Sequence, residues 1–345
     1  MKSPYLIAEV GVNFYDTAKA EGIAPLGAAK KYILEAKKAG ADAVKFQSYK
    51  ANTLVSKNSP AYWDQTKEPT KTQYELFLKH DHFEKEEYEE LYLYCKEQGI
   101  AFLSTPFDYH SADFLEPLMD IYKISSSDLS NLPFIRYVAR KKKPIFLSVG
   151  ASYISEIEEA VRAMQEEGCQ DICLLHCVLS YPCRYEDANL HMIQSLKRLF
   201  PTLKIGYSDH TMPDPAMTVL TTAYLYGADV IEKHFTLDKT LHGNDHYHAG
   251  DPHDFYTAVQ NFQLIETIGG SFEKTVFECE TIPRREARRS LVLCRDMKKG
   301  AVLRPEDFIA KRPGTGISPN YSDIVIGRRL QVDLPEDTIL TWEMI

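Results

Sequence analysis

Two stretches of the sequence close an apolar run with a cluster of titratable side chains. Ala228 to Ile231 leads into Glu232-Lys233-His234-Phe235-Thr236, and Ile205-Gly206-Tyr207 leads into Ser208-Asp209-His210-Thr211. That is how a buried strand delivers chemistry at its carboxyl end. A single His in such a place could simply satisfy a loop hydrogen bond. Two at matched positions, each beside acidic residues and separated by one helix-like segment, point to neighbouring parallel strands whose His210 and His234 share a metal ion. Just downstream, His242-Gly243-Asn244-Asp245-His246-Tyr247-His248 adds a further acid and more imidazoles.

Other apolar runs end in polar groups as well. The strand-end positions hold Glu9, Lys45, Ser104-Thr105, Lys123 with Ser125-Ser126-Ser127-Asp128, Ser148, and His176 followed by Ser180-Tyr181. Lysines set among hydroxyls make a phosphate or carboxylate site, with the ammonium as point charge and the hydroxyls as directional donors. A Schiff-base role for Lys45 or Lys123 is the rival, because a buried Lys readily lowers its pKa. Two imidazoles at metal positions favour polarisation of a carbonyl by a cation over an imine route.

The elements that must hold these groups follow one rhythm. Strands are predicted at Tyr5–Gly11, Ala41–Gln47, Ile100–Ser104, Ile121–Ile124, Pro144–Ser148, Asp171–His176, Lys204–Gly206 and Asp229–Glu232, each followed by a helical pattern, the last being Pro252–Ile268. Eight such units, with strands apolar enough to be buried on both faces, predict a (β/α)8 TIM barrel. A doubly wound sheet is the competitor, but no Gly-rich phosphate loop follows the first strand. The polar excursion from Ser48 to His82, which carries Trp63, reads as a wall of the active site. The domains expected are a barrel over residues 1–270, a polar linker over 271–289, and a small β-rich domain over 290–345, too small to be very stable alone.

The totals limit the partners. With 345 residues and a net charge of −9, the chain lacks the basic balance that nucleic acid requires. No apolar run approaches a membrane span, and the seven scattered Cys include no close CxxC pair. Met1-Lys2-Ser3-Pro4 leads straight into a strand, so a cytoplasmic protein with reduced thiols is expected.

Several motifs carry a resemblance. Ala8-Glu9-Val10-Gly11-Val12-Asn13, Val44-Lys45-Phe46-Gln47, Ser104-Thr105-Pro106-Phe107-Asp108, Tyr122-Lys123-Ile124, Tyr207-Ser208-Asp209-His210 and Glu232-Lys233-His234-Phe235-Thr236 resemble the sialic acid synthase family. Arg288-Arg289-Ser290-Leu291 and Lys311-Arg312-Pro313-Gly314-Thr315-Gly316 resemble that family's antifreeze-like (SAF) domain. The resemblance spans nearly the whole chain. It implies condensation of phosphoenolpyruvate with an open-chain mannosamine-type aldose to a nine-carbon 3-deoxy-2-ulosonic acid, with release of phosphate. It further implies that His210 and His234 hold Mn2+ or Mg2+. Lys45, Thr105, Lys123, Ser126, Ser148 and Ser208 would bind phosphoenolpyruvate. Glu9 would be the acid/base, and Asp245 the acid beside the sugar. Asp128, Ser180, Tyr181 and Glu232 match further substrate positions. Arg312 would reach into a partner's site in a domain-swapped homodimer.

Some motifs depart from the family pattern. The usual Asn-His-Asn-Gly is here Asn13-Phe14-Tyr15-Asp16, Gly-Ser-Gly-Glu is Ser125-Ser126-Ser127-Asp128, and the Asn before Tyr-Pro is Ser180. The segment after the last strand, Gly243 to Pro252, is also altered. Most of these positions belong to the sugar side, so the sugar preference is expected to differ. N-acetylmannosamine, its 6-phosphate, and the precursors of legionaminic, pseudaminic or deaminated sialic acid are the candidates, with a Schiff-base lyase or aldolase as the mechanistic rival.

Overall fold

The structure is a computed structural model, described here for residues 3–345. It divides into two compact units, through Gly270 and from Ser271 onward. In the first unit eight parallel strands run β1 (Tyr5–Gly11), β2 (Ala43–Ser48), β3 (Ala101–Pro106), β4 (Tyr122–Ile124), β5 (Ile145–Ser148), β6 (Ile172–Cys177), β7 (Lys204–Asp209) and β8 (Val230–His234). Their order is β3-β2-β1-β8-β7-β6-β5-β4. β3 and β4 then lie side by side and close the ring without a hydrogen-bonded ladder. This is the predicted TIM barrel.

Two cores are separated by the strands. Ile7, Ala43, Leu103, Phe146, Cys173, Leu175 and Val230 fill the barrel interior, while a larger cluster packs the strands against the surrounding helices. Side chains alternate faces along a strand, so the residue two places after each interior apolar group also points inward. Stepping by two gives Glu9 after Ile7, Lys45 after Ala43, Thr105 after Leu103, Ser148 after Phe146, and Glu232 and then His234 after Val230. The floor of the barrel is therefore apolar and its mouth polar on the same strands. Gly206 is needed in this packing: a Cβ there would stand 2.4 Å from Leu175 and 2.5 Å from the Val230 carbonyl.

The opposite face of β7 and β8 carries a different pair. Lys233 Nζ donates to Asp209 Oδ2 at 2.6 Å and to the Thr211 carbonyl at 2.8 Å, fully buried. Asp209 also accepts from Tyr207 and from the backbone and hydroxyl of Thr211. These bonds fix the ends of two adjacent strands.

Some local structure differs from the sequence-based expectation. β7 and β8 run on to Asp209 and His234, so His234 ends its strand instead of lying past it. Phe14–Glu21 is a helix, because Phe14 and Tyr15 pack with Phe83 in a buried aromatic cluster. The excursion after β2 holds two short helices, Ala51–Leu54 and Gln73–Leu78, the second closed by a Thr72/Glu75 capping box. No described helix is long and apolar enough to cross a membrane.

The second unit begins with an exposed turn and a short helix, Thr281–Ala287, within the stretch read from sequence as a polar linker. Pro283 is tolerated there because N–H groups in a first helical turn lack helical partners anyway. Beyond it β9 (Ser290–Leu293) pairs antiparallel with β10 (Phe308–Lys311) over a core that includes Leu291, Leu303, Ile317, Leu330 and Leu340. Ser290 Oγ donates to the Pro313 carbonyl at 2.7 Å and accepts from the Gly316 N–H at 2.8 Å, pinning the Pro-Gly turn.

The Lys233–Asp209 pair yields a stability prediction. Lys233→Met should cost about 3–5 kcal/mol, because it strands a buried carboxylate. Adding Asp209→Asn should recover part of that loss in a denaturation double-mutant cycle. Purely additive losses would contradict a coupled pair.

Candidate active site

The polar mouth opens into a cavity of about 290 Å³ at the carboxyl ends of the strands. Glu9, Lys45, Thr105, Lys123, Ser126, Ser148, Tyr181, Ser208, Glu232, His234, His210 and Asp245 all line it. Three expected residues, Asp128, Ser180 and Arg312, do not. The turn Ser126–Asp128 directs Asp128 to Asn131, which donates to it at 3.1 Å, while Ser125 and Ser127 face the cavity instead. Ser180 is exposed and donates to the Pro182 carbonyl at 3.1 Å. Arg312 belongs to the second unit, where it is exposed.

The charges in the mouth form one linked set. Lys45 is ion-paired with Glu9 and stands 3.8 Å from Glu232. Lys123 lies 3.5 Å from the same Glu232 oxygen, which also accepts from Ser208 at 3.1 Å. Lys45 donates to Thr105 at 3.0 Å, and Gln47 to Glu9 at 2.8 Å. Burial pushes Glu9 up to about 7, reinforced by the negative charge of Glu232 and opposed by Lys45. Burial would also raise Glu232, but Lys123 and Lys45 hold it below the usual carboxylate range. For Lys45 burial is outweighed by Glu232 and Glu9, which keep it above its ordinary value; for Lys123 burial wins and lowers it. One carboxyl is thus poised near neutrality and the other stays ionised. Ser148 Oγ and Glu232 Oε2 are buried without a partner among the described residues, so they remain free for a ligand.

The imidazoles sit on the β6–β8 side. The rings of His210 and His234 are 5.5 Å apart between centroids, with Tyr181 4.1 Å from His210. Burial drives His210 down to about 4 and His234 well below its ordinary value, so both rings are neutral near pH 7. His210 Nδ1 is hydrogen-bonded to the Val178 carbonyl at 2.7 Å, which makes Nδ1 the donor and leaves Nε2 with a lone pair. His234 Nδ1 is buried without a hydrogen bond and lies 3.7 Å from Asp245 Oδ2. Neutral imidazoles, one fixed by a carbonyl and the other beside a carboxylate, suit a divalent cation. Among the described residues no three His, Cys, Asp or Glu side chains gather as a ready-made cage, so a two-His site would take its remaining ligands from water or substrate.

Gln47, Asn13, Asp16 and Asn244 also line the cavity without having been singled out from sequence, while Tyr62, Trp63, Leu76, Phe77 and His80 come from the Ser48–His82 excursion, which forms the wall expected of it. Gln47 was readable, since it lies two residues beyond Lys45. The others come from loops and short helices that carry no strand periodicity.

Comparison with known proteins decides the family. The model of the NeuB family matches residues 32–274 and that of the SAF domain residues 288–345. The chain belongs to the NeuB family. It is 40% identical to the N,N'-diacetyllegionaminic acid synthase of Legionella pneumophila, across 99% of this chain and 94% of that protein. It is 31% identical to the N-acetylneuraminate-9-phosphate synthase of Drosophila melanogaster, across 97% and 94%. The solved N-acetylneuraminic acid (sialic acid) synthetase of Leptospira borgpetersenii superposes with a TM-score of 0.70 at 31% identity, covering 82% of this chain and 90% of that one.

Glu9 makes stability depend on pH. Its folded pKa of about 7 exceeds the ordinary 4.5, so its contribution is fully favourable below the unfolded value and is lost as pH rises through 7. Glu9→Gln should therefore gain in denaturation midpoint over the parent at pH 8, and the gain should shrink toward pH 5. A difference independent of pH would contradict a buried, neutral-leaning Glu9.

Proposed function

We propose that the protein is a nonulosonic acid synthase, which condenses phosphoenolpyruvate with an open-chain N-acylated mannosamine-type aldose and releases phosphate. The observation that carries this reading is the meeting, in one cavity, of two buried lysines with hydroxyls, a carboxyl poised near 7, and two neutral imidazoles. Family membership supports the same reading. The higher identity to a diacetyllegionaminic acid synthase than to a neuraminate-9-phosphate synthase favours a sugar bearing more than one acylamino group.

Lys45 and Lys123 would bind the phosphate and carboxylate of phosphoenolpyruvate, with Thr105, Ser126, Ser148 and Ser208 as directional donors. A divalent cation, Mn2+ or Mg2+, held by His210 and His234 would supply Lewis-acid polarisation of the sugar aldehyde. The methylene carbon of phosphoenolpyruvate forms the new bond to the aldehyde carbon. Water then adds its oxygen at C2, and the C2–O bond to phosphate breaks. Of the two protons of that water, one ends on the former aldehyde oxygen and the other on the departing phosphate. Glu9 is the group fitted to take the first of them, since its pKa lies near the working pH. Asp245 would orient His234 and the sugar. Holding both reactants in one desolvated cavity contributes most of the acceleration, on the order of 7–11 kcal/mol for well-oriented pairs.

Phosphate release should require phosphoenolpyruvate, an N-acylated mannosamine-type sugar and Mn2+ or Mg2+ together. His234→Ala should abolish metal binding in calorimetry with the thermal midpoint little changed. Full turnover after dialysis against EDTA would sink the metal-dependent reading. The lowered pKa of Lys123 sustains the Schiff-base reading as a second one, which predicts a borohydride-trapped adduct instead.

The domain-swapped homodimer belongs to the same proposal. It rests on the family resemblance and on an exposed Arg312, which has no hydrogen-bond or ion-pair partner among the described residues. Arg312→Ala and Lys123→Ala subunits should each be inactive and regain part of the activity when mixed under exchange. No recovery, with exchange confirmed, would place Arg312 in its own chain's service.

A further inference from the structure

The segment after β8 returns to the strand it left. Gly250 donates its N–H to the His234 carbonyl at 2.8 Å, and its own carbonyl accepts from the Thr236 N–H at 3.0 Å. Four residues earlier, His246 Nδ1 is hydrogen-bonded to the Thr236 hydroxyl at 2.7 Å. Residues 246 and 250 are thereby clamped to the end of β8, and His248 lies midway between the two clamps. Its fully buried ring meets the His234 ring edge to face, 5.1 Å between centroids, and the Tyr181 ring at 5.7 Å. Tyr247 fastens the same side, its hydroxyl donating to the Tyr181 carbonyl at 3.1 Å.

His248 does not line the cavity, whereas Tyr181, His234 and Asp245, which it faces, do. Its Nε2 stands 3.6 Å from Asp245 Oδ1, beyond hydrogen-bond length, and neither ring nitrogen has a hydrogen-bond partner among the described residues. Asp245 is thus set between two imidazoles, with Oδ1 toward His248 and Oδ2 3.7 Å from His234 Nδ1. Asn244 Nδ2 also donates to Oδ1, at 2.9 Å. A buried imidazole with both nitrogens unpaired costs stability, and an apolar side chain of like size would avoid that cost. Closing the gap to Asp245 by about 0.6 Å would turn the contact into a charge-assisted hydrogen bond. The imidazole therefore suits a task at the site and not one in folding.

On the proposed reading of a cation held by His210 and His234, we infer that His248 is a positioning residue, which fixes Asp245 and His234 in the orientation that receives the cation. His248 is not itself a ligand, because it lies behind both groups and outside the cavity. Its Nε2–H donates to Asp245 Oδ1, so that Oδ2 stays directed at His234 Nδ1 and leaves Nε2 of that ring to the cation. The edge-to-face contact limits rotation of the His234 ring. Ligands held in place beforehand lose less rotamer freedom on binding, which raises affinity.

The test is calorimetric titration of Mn2+ into the full chain without substrates. The amide nitrogen of an Asn side chain falls near the place of Nδ1 and that of Gln near Nε2, so only Gln can donate to Asp245. His248→Asn should weaken Mn2+ binding about ten- to hundredfold, and His248→Gln should retain most of the parent affinity. His248→Leu should lose affinity as His248→Asn does, while its metal-free thermal midpoint stays at or above the parent's. Phosphoenolpyruvate affinity without metal should be unchanged in all three. Equal Mn2+ affinity in His248→Asn and His248→Gln overturns the positioning role, as does an affinity loss that follows the metal-free midpoint across the variants. Should His248→Leu fail to fold, the comparison of His248→Asn with His248→Gln decides alone. No Mn2+ binding by the parent overturns the cation site and this role with it. The expected difference in Mn2+ affinity, without phosphate release from phosphoenolpyruvate and any mannosamine-type sugar, overturns the synthase reading and leaves the role of His248 standing.

Discussion

Two ammonium groups and two carboxylates held out of water at the barrel mouth constrain the rest of the site. Moving each such charge out of water costs several kcal/mol, and only mutual pairing and further hydrogen bonds offset that cost. Lys45 is placed to serve both Glu9 and Glu232, whereas Lys123 has only Glu232 at 3.5 Å. The set is close to neutral but unequally shared, which is why Glu9 is pushed toward protonation and Lys123 toward deprotonation. An arriving anion would complete what the protein leaves unpaired. On the proposed reading, that anion would be the phosphate or carboxylate of phosphoenolpyruvate.

That constraint is met by the geometry of the strands. Alternation assigns inward positions without any loop to adjust them, so an apolar interior residue and a charged one can be two residues apart on the same strand. Glu232 and His234 face the cavity, while Lys233 between them faces the outer layer and bonds Asp209. Within three consecutive residues the chain thus contributes two groups to the site and one to holding the strand ends in place.

This arrangement also explains what could be read from sequence. Strand-borne groups were legible because an apolar run with a polar terminus identifies a buried strand and its carboxyl end; Glu9, Lys45, Thr105, Lys123, Ser148, Ser208, Glu232 and His234 all came from that pattern. Asp128 and Ser180 lie in turns, where local hydrogen bonds to Asn131 and Pro182 decide direction, and no periodicity reports that. Asp16 carried no such signal for the same reason, whereas His80 lies in the Ser48–His82 excursion that was expected to wall the site. They are brought together by tertiary contacts between a helix after β1 and the end of the excursion after β2. The Lys233–Asp209 pair was overlooked because both residues sit inside motifs rich in chemistry, although alternation alone assigns them to the other face.

The division between strands and loops separates two kinds of freedom. A strand position in the barrel mouth is bound by register with two neighbours and by the volume of the interior, as the 2.4 Å approach at Gly206 shows. Changing a group there disturbs the shared charge set and the packing together. The outer wall is built from short helices and turns anchored by caps and single contacts, such as Thr72 with Glu75 and Trp63 with the Glu68 carbonyl. It can be rebuilt at lower cost to the core, because few of its side chains belong to the main apolar cluster. On the proposed synthase reading, the shared chemistry would rest on the strands and selection among sugars on the wall.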